Sequence, residues 1–125
     1  MARKLVWVGS SYKDFLEFPE KVKFDMMLAL FLAQDGRKAL HVKPLTGFSG
    51  ASVLEIIERD RSGTYRCIYT VKFSTAVYIL HAFQKKSHKG ITTPKGDVEM
   101  IRYRFKQASK TDAEITEREK KRGGS

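Results

Sequence analysis

Between Val53 and Phe83 the chain carries three runs of strand-forming residues, joined by connections too short to hold a helix. Val53 to Glu58 is the first run, Thr64 to Phe73 the second and Ala76 to Phe83 the third. Asp60-Arg61-Ser62-Gly63 supplies one turn and Ser74-Thr75 the other. Parallel neighbours need a crossover of a dozen or more residues, so strands this closely spaced pair antiparallel. The chain must therefore fold around a β-meander. Alternation puts Tyr65, Cys67, Tyr69, Val71 and Phe73 on one side of the middle strand. Arg66, Ile68, Thr70 and Lys72 fall on the other. The same rule gives Val77, Ile79, His81 and Phe83 a common face on the third strand. The cations Arg66 and Lys72 imply that their face is partly open to solvent at its ends.

Before the meander, Lys4 to Val8 reads as an opening strand ended by Gly9-Ser10-Ser11. Ser10 or Ser11 suits the N-cap of a short helix through Glu17. Pro19 fits the first turn of a second helix, which Gly36 stops. Val22, Met26, Leu30 and Ala33 recur at helical spacing, and Met27, Leu28 and Phe31 widen the apolar face. Residues 36–52 are loop-like. Gly47-Phe48-Ser49-Gly50 fits the GXXG clamp of KH domains only as a string, because a strand follows where the clamp needs a helix. After the meander, Thr93-Pro94 opens a last helix, with Val98, Ile101 and Phe105 facing a core and Arg102 and Lys106 outward. The apolar pattern ends at Ser109. The chain thus divides into one domain, 1–108, and a charged tail, 109–125, whose i,i+4 pairs suit a helical extension before a flexible Gly-Gly-Ser end. The expected architecture is α+β: a small antiparallel sheet with helices packed on one face.

The chain has 125 residues with 24 Lys+Arg against 14 Asp+Glu, a net charge of +10. Residues 1–36 hold five basic and five acidic side chains, whereas residues 37–108 hold fourteen basic and five acidic. Such a localised excess attracts polyanions by counterion release, which puts nucleic acid first among partners. One cysteine, Cys67, excludes an internal disulfide framework and a Cys-rich zinc site. Its place between Tyr65 and Tyr69 marks it as core. No run is long and apolar enough to span a membrane. With no signal peptide either, the expected compartment is the cytoplasm.

Walker, GxGxxG, HExxH and GxSxG motifs are all absent. His41, His81 and His88 lack metal-ligand spacing. What remains is a cluster of cations after the meander, beside Arg66. Cleaving a phosphodiester through the neighbouring 2′-OH needs a base, an acid and cations on the pentacovalent phosphate, with no metal or other cofactor. Arg66 suits bidentate phosphate holding, because its guanidinium stays charged. Lys85 and Lys86, at the end of the third strand, can supply charge and proton transfer; a lysine lowered in pKa by neighbouring cations serves either role. Two readings of that pair stay open: a catalytic pair, or a solvated loop with generic RNA affinity. His81 is either a half-buried, hydrogen-bonded strand residue or a proton donor toward the Arg66 cleft. Lys43, Lys72, Lys89 and Arg102 are the candidate backbone-tracking cations around them.

The segment Thr64-Tyr65-Arg66-Cys67-Ile68-Tyr69-Thr70-Val71-Lys72, then Tyr78-Ile79-Leu80-His81-Ala82-Phe83-Gln84-Lys85-Lys86-Ser87, then Thr93-Pro94, resembles the phage-related, HigB-type branch of the RelE/ParE toxin superfamily. The resemblance spans roughly residues 4–108. It implies a RelE-like fold and a toxin of a type II toxin–antitoxin pair, neutralised by a helix-turn-helix antitoxin. HigB- and RelE-type toxins are typically ribosome-dependent mRNA endonucleases, whereas ParE-type relatives poison DNA gyrase on the same fold. In the ribonucleases the residue matching Arg66 contacts the scissile phosphate, and Lys85 and Lys86 match a second phosphate-binding position. This chain departs from the RelE pattern on the preceding strand, where Glu55 and Ile57 stand near the places of a lysine pair. Tyr103 does not match the family's C-terminal tyrosine in spacing. The base is then Glu55, Lys85, Lys86 or His81. Three functions follow: an mRNA-cleaving toxin at the ribosome, a gyrase-directed inhibitor, or a non-catalytic nucleic-acid-binding module.

Overall fold

The computed structural model describes residues 2–48, 52–85 and 94–123. Strand β1 (Lys4–Trp7) leads into helices α1 (Ser11–Leu16) and α2 (Glu20–Gln34). A two-residue strand β2 (Lys43–Pro44) precedes the meander β3 (Val53–Asp60), β4 (Gly63–Thr70) and β5 (Ala76–Lys85), and α3 (Lys95–Gly123) closes the chain. The sheet runs β1-β5-β4-β3-β2. The three meander strands pair antiparallel as their short turns require, and β1 adds to β5 in parallel.

Helix α2 begins one residue after Pro19, which caps it from an extended conformation. It ends in a Schellman turn. Arg37 N–H donates to the Leu32 carbonyl at 2.8 Å and Gly36 N–H to that of Ala33 at 3.0 Å, with Gly36 at φ +75°. Val22, Met26, Ala29, Leu30 and Ala33 are buried along one face of the helix. They meet Phe15, Leu54, Ile56, Cys67, Tyr69, Val77 and Ile79 in the larger core. Burial pushes the Cys67 thiol up to about 12, so it stays a protonated core residue.

Helix α3 does not join that layer. Ile101 and Ala108 pack on Leu45, Val53, Ile68, Tyr78 and Leu80, which line the opposite face of the sheet. The expectation of helices on one face is corrected accordingly. A sheet with apolar side chains on both faces must be covered twice: Tyr65, Cys67 and Tyr69 of β4 belong to the α2 core, and Ile68, with Val53, Tyr78 and Leu80 of the neighbouring strands, to the other. The helix also continues without a break past Ser109, and Asp112 is still buried.

Asp112 fastens α3 to the start of β5. Its Oδ1 accepts from Thr75 N–H at 3.0 Å, from the Tyr78 hydroxyl at 3.2 Å, and from the Thr75 hydroxyl. Asp112→Ala would orphan these buried donors. A loss of about 1–3 kcal/mol is expected, read as a lower urea midpoint at unchanged slope. An unchanged midpoint would mean that water replaces the carboxylate at no cost.

The third meander strand is not a simple alternation. Cys67 pairs with Ala82 and Ile68 with His81, but Tyr69 pairs with Ile79, which leaves Leu80 as an extra residue in a β-bulge. The bulge reverses the facing of everything after it. Val77 and Ile79 point to the α2 side as expected, whereas His81 and Phe83 point to the α3 side. Arg104 of α3 donates to the Leu80 carbonyl at 3.0 Å and to Ser10 Oγ at 3.0 Å. It thereby satisfies a carbonyl that the broken ladder leaves open. The same guanidinium lies against Gly9, at φ +58°, where an added Cβ would come within 2.7 Å of Arg104 Nε. A glycine is required there on both counts.

Candidate active site

The register of β2 to β5 assembles polar side chains in three rows on the α3 face, at the end of the sheet beyond the bulge. The first row is Lys43, Glu55, Ile68 and His81. The second is Ile57, Arg66 and Phe83, and the third is Arg59, Thr64 and Lys85. Neighbouring strands are about 4.8 Å apart, so these residues form one compact field. Without the bulge, His81 and Phe83 would lie on the far side of the sheet.

Arg66 is at the centre and is only 3% exposed. Its Nη1 donates to Glu55 Oε2 at 2.6 Å, and both side chains are almost fully enclosed. Its Nε is buried without a partner. The expected partial opening of this face to solvent is therefore corrected at Arg66, although it holds at Lys72. A carboxylate on the neighbouring strand lets a guanidinium be buried where β4 alone suggests an exposed cation.

Lys85, in the outer row, is partly buried. Its pKa is lowered, first by desolvation and then by the positive charge of Arg66, while Glu55 opposes and Arg59 adds to the shift. An amine of this kind reaches its neutral, proton-accepting form at lower pH than an ordinary lysine.

His81 stacks on Phe83, with ring centres 4.8 Å apart, and its Nε2 lies 2.7 Å from Asp97 Oδ1 in the first turn of α3. Its Nδ1 is buried without a partner. The proton on Nε2 is thus engaged by Asp97, and the pair pins the start of α3 onto β5. This geometry suits a clamp better than a proton donor.

Lys43 is exposed on β2, opposite Glu55. Lys72 and Arg102 stand farther along the same face, beside a cavity of about 280 Å³ lined also by Phe48, Val53, Phe105 and Lys106. Arg102 lies over the Phe48 ring at 4.6 Å and donates to the Gly47 carbonyl, and Lys72 lies 5.6 Å from the centre of the Phe105 ring. Val53 links this cavity to Glu55, two residues on along the same face of β3. Lys86, Lys89 and the Thr93 cap, with Ser49 and Gly50 of the glycine string, lie outside the described residues. Sequence reasoning missed Arg59 and Asp97 as members of this field. The signal for Arg59 was present, since it shares the parity of Glu55 and Ile57. Asp97 carries no such signal: in the first turn of α3 a carboxylate is favoured by the helix dipole whatever it contacts.

Residues 13–106 match the family model described as "Phage derived protein Gp49-like (DUF891)". The chain belongs to this Gp49-like family. Its fold is that of the free E. coli toxin RelE, solved as a double mutant: TM-score 0.53 and 18% identity over 70% of this chain and 88% of that one. A similarity also exists to the Mycobacterium tuberculosis toxin–antitoxin complex RelBE2, at TM-score 0.44 and 19% identity over 70% of this chain and 95% of that one. No match to a curated protein was found. Family and fold together put this Gp49-like chain in the RelE/ParE toxin superfamily, as the meander motifs imply. Among the described residues, no helix is long and apolar enough to cross a membrane, and no group of His, Cys, Asp and Glu side chains is placed to hold a metal ion.

Proposed function

We propose that this Gp49-like protein is the toxin of a type II toxin–antitoxin pair, of the HigB-like kind, and cleaves mRNA on the ribosome in the cytoplasm. Its inhibitory partner is a helix-turn-helix antitoxin. The observation that carries the reading is the field of Arg59, Arg66 and Lys85 on one sheet face of a RelE-like fold. Lys85, whose lowered pKa makes the neutral amine more accessible than that of an ordinary lysine, takes the 2′-OH proton; the 2′-oxygen attacks phosphorus to close a 2′,3′-cyclic phosphate, and the 5′-oxygen leaves with a proton from solvent. Arg59 and Lys43, both exposed, hold phosphate oxygens. Arg66 acts from beneath, lending positive charge to the pentacovalent phosphate and depressing the Lys85 pKa. Glu55 fixes the guanidinium in place. Lys72 and Arg102 extend the track toward the cavity, with Phe48 and Phe105 as surfaces against which a base stacks. Lys86 and Lys89 follow Lys85 in sequence and are further candidate cations for the same RNA.

Primer extension on cellular mRNA after brief induction tests this. Cuts inside translated frames are expected, lost when translation is blocked and lost in Lys85→Met. Growth arrest with intact mRNA and DNA-damage signalling would replace the ribonuclease by a gyrase-directed toxin. Salt-sensitive RNA binding with neither cuts nor arrest would leave a binding module.

A further inference from the structure

Leu28 and Phe31 do not widen the core face of α2 as their apolar character suggests: with Phe24 they stand nearly opposite the buried Val22–Met26–Leu30–Ala33 stripe, on the outward side of the helix. Phe24 is 64% exposed, Leu28 47% and Phe31 54%. They occur at i, i+4 and i+7, so they form one line along the helix. The line is bounded by Lys21 at one end and Asp35 at the other, both exposed. The five positions 21, 24, 28, 31 and 35 alternate in steps of three and four, the spacing of a helix–helix seam. A monomeric surface helix has no need of two exposed phenylalanines and a leucine on its polar side.

The ends of the line say what covers it. Lys21 and Asp35 each stand seven residues from Leu28, about 10.5 Å along the axis. Two copies of α2 laid antiparallel about a two-fold axis through Leu28 therefore bring Lys21 of each copy to Asp35 of the other. Phe24 and Phe31 lie about 6 and 4.5 Å from the axis on opposite sides, so each Phe24 meets the Phe31 of the second copy. The line is thus complementary to itself in both charge and shape, which is what an isologous contact demands. The existing Lys21–Asp25 contact, at 3.1 Å, is a surface i,i+4 pair and costs little to exchange. Charge distribution points the same way. Helix α2 with its C-cap carries Lys21 and Lys23 against Glu20, Asp25 and Asp35, so the helix itself lacks the basic excess of a chain of net charge +10. Two copies meet here without repulsion, and a polyanion finds no attraction. The α2 layer also lies across the sheet from Arg66 and Lys85, so the contact leaves that face open.

We propose that α2 is the interface of a homodimer in which two copies of this chain pair antiparallel through Phe24, Leu28 and Phe31, with Lys21 and Asp35 closing the two ends. The contact is small, so the dimer forms in the micromolar range rather than being obligate. Sedimentation equilibrium of the purified full chain, over a concentration series, tests it. The mass should climb from one chain toward two. Leu28→Asp, at an exposed position, should raise the dissociation constant roughly tenfold or more, with an unchanged circular dichroism spectrum. Lys21→Asp and Asp35→Lys should each weaken the dimer, and the double exchange should restore it. A monomer at every concentration would overturn the proposal. So would a dimer indifferent to Leu28→Asp, or single charge variants that the double exchange does not rescue. Coverage of Phe24 and Phe31 only when an antitoxin is added would overturn it in favour of a heterologous partner.

Discussion

Arg66→Ala is expected to lose about 3–5 kcal/mol of folding stability, because it strands the Glu55 carboxylate in the interior. The pair is 2.6 Å long and its side chains are 4% and 5% exposed, so water cannot replace the missing guanidinium without opening the sheet. Thermal melting should show a drop of more than about 10 °C. The exchange of both partners for apolar residues, Arg66→Met with Glu55→Leu, should recover most of the loss, since a buried ion pair is often no more stable than a packed apolar one. The consequence reaches function. Loss of toxicity in Arg66→Ala alone does not separate catalysis from folding, whereas a folded and inactive double variant does. A melting temperature for Arg66→Ala within a degree or two of the parent would show that the charge of Glu55 is not enclosed.

Under the proposed function, Lys85→Met lowers the rate of ribosome-bound mRNA cleavage by about 10²–10⁴-fold, the range set by positioned proton transfer, with stability nearly unchanged. The pH dependence separates a base from a mere cation. Lys85 has a lowered pKa, so its neutral fraction grows as pH rises and saturates below the range of a free lysine. Single-turnover cleavage should therefore increase with pH and then level off. Lys85→Arg keeps the charge but cannot deprotonate, and should give a slow rate with that rise removed. Removing both Glu55 and Arg66 deletes two opposing charges, while removing Arg66 alone should push the rise to higher pH. A parent profile that falls with pH would make Lys85 an acid. A Lys85→Arg variant as fast as the parent would leave it only a phosphate contact.

The face of His81 shows where pattern reading stops. Alternation along Ala76 to Phe83 groups His81 with Ile79, and one inserted residue, Leu80, moves it to the other side of the sheet. Nothing local announces that residue. Its carbonyl is satisfied by Arg104, twenty-four positions later in the chain. Arg66 teaches the same lesson about burial. Its position on β4 was legible, but its enclosure depends on Glu55 in the neighbouring strand and on the closing of the second face by α3.

By itself the sequence determined the elements that rest on local periodicity: the meander, the buried stripe of α2, the core placement of Cys67 and the charge that marks residues 37–108. Periods of 2 and 3.6 are written in consecutive residues, and so are turns. The tertiary structure alone decided the parallel place of β1 beside β5, the layer to which α3 belongs, and the gathering of Lys43, Arg59, Arg66 and Lys85 on one face. Each of these depends on which distant segments meet. Burial and hydrogen-bond satisfaction are properties of those meetings, not of the residues that enter them.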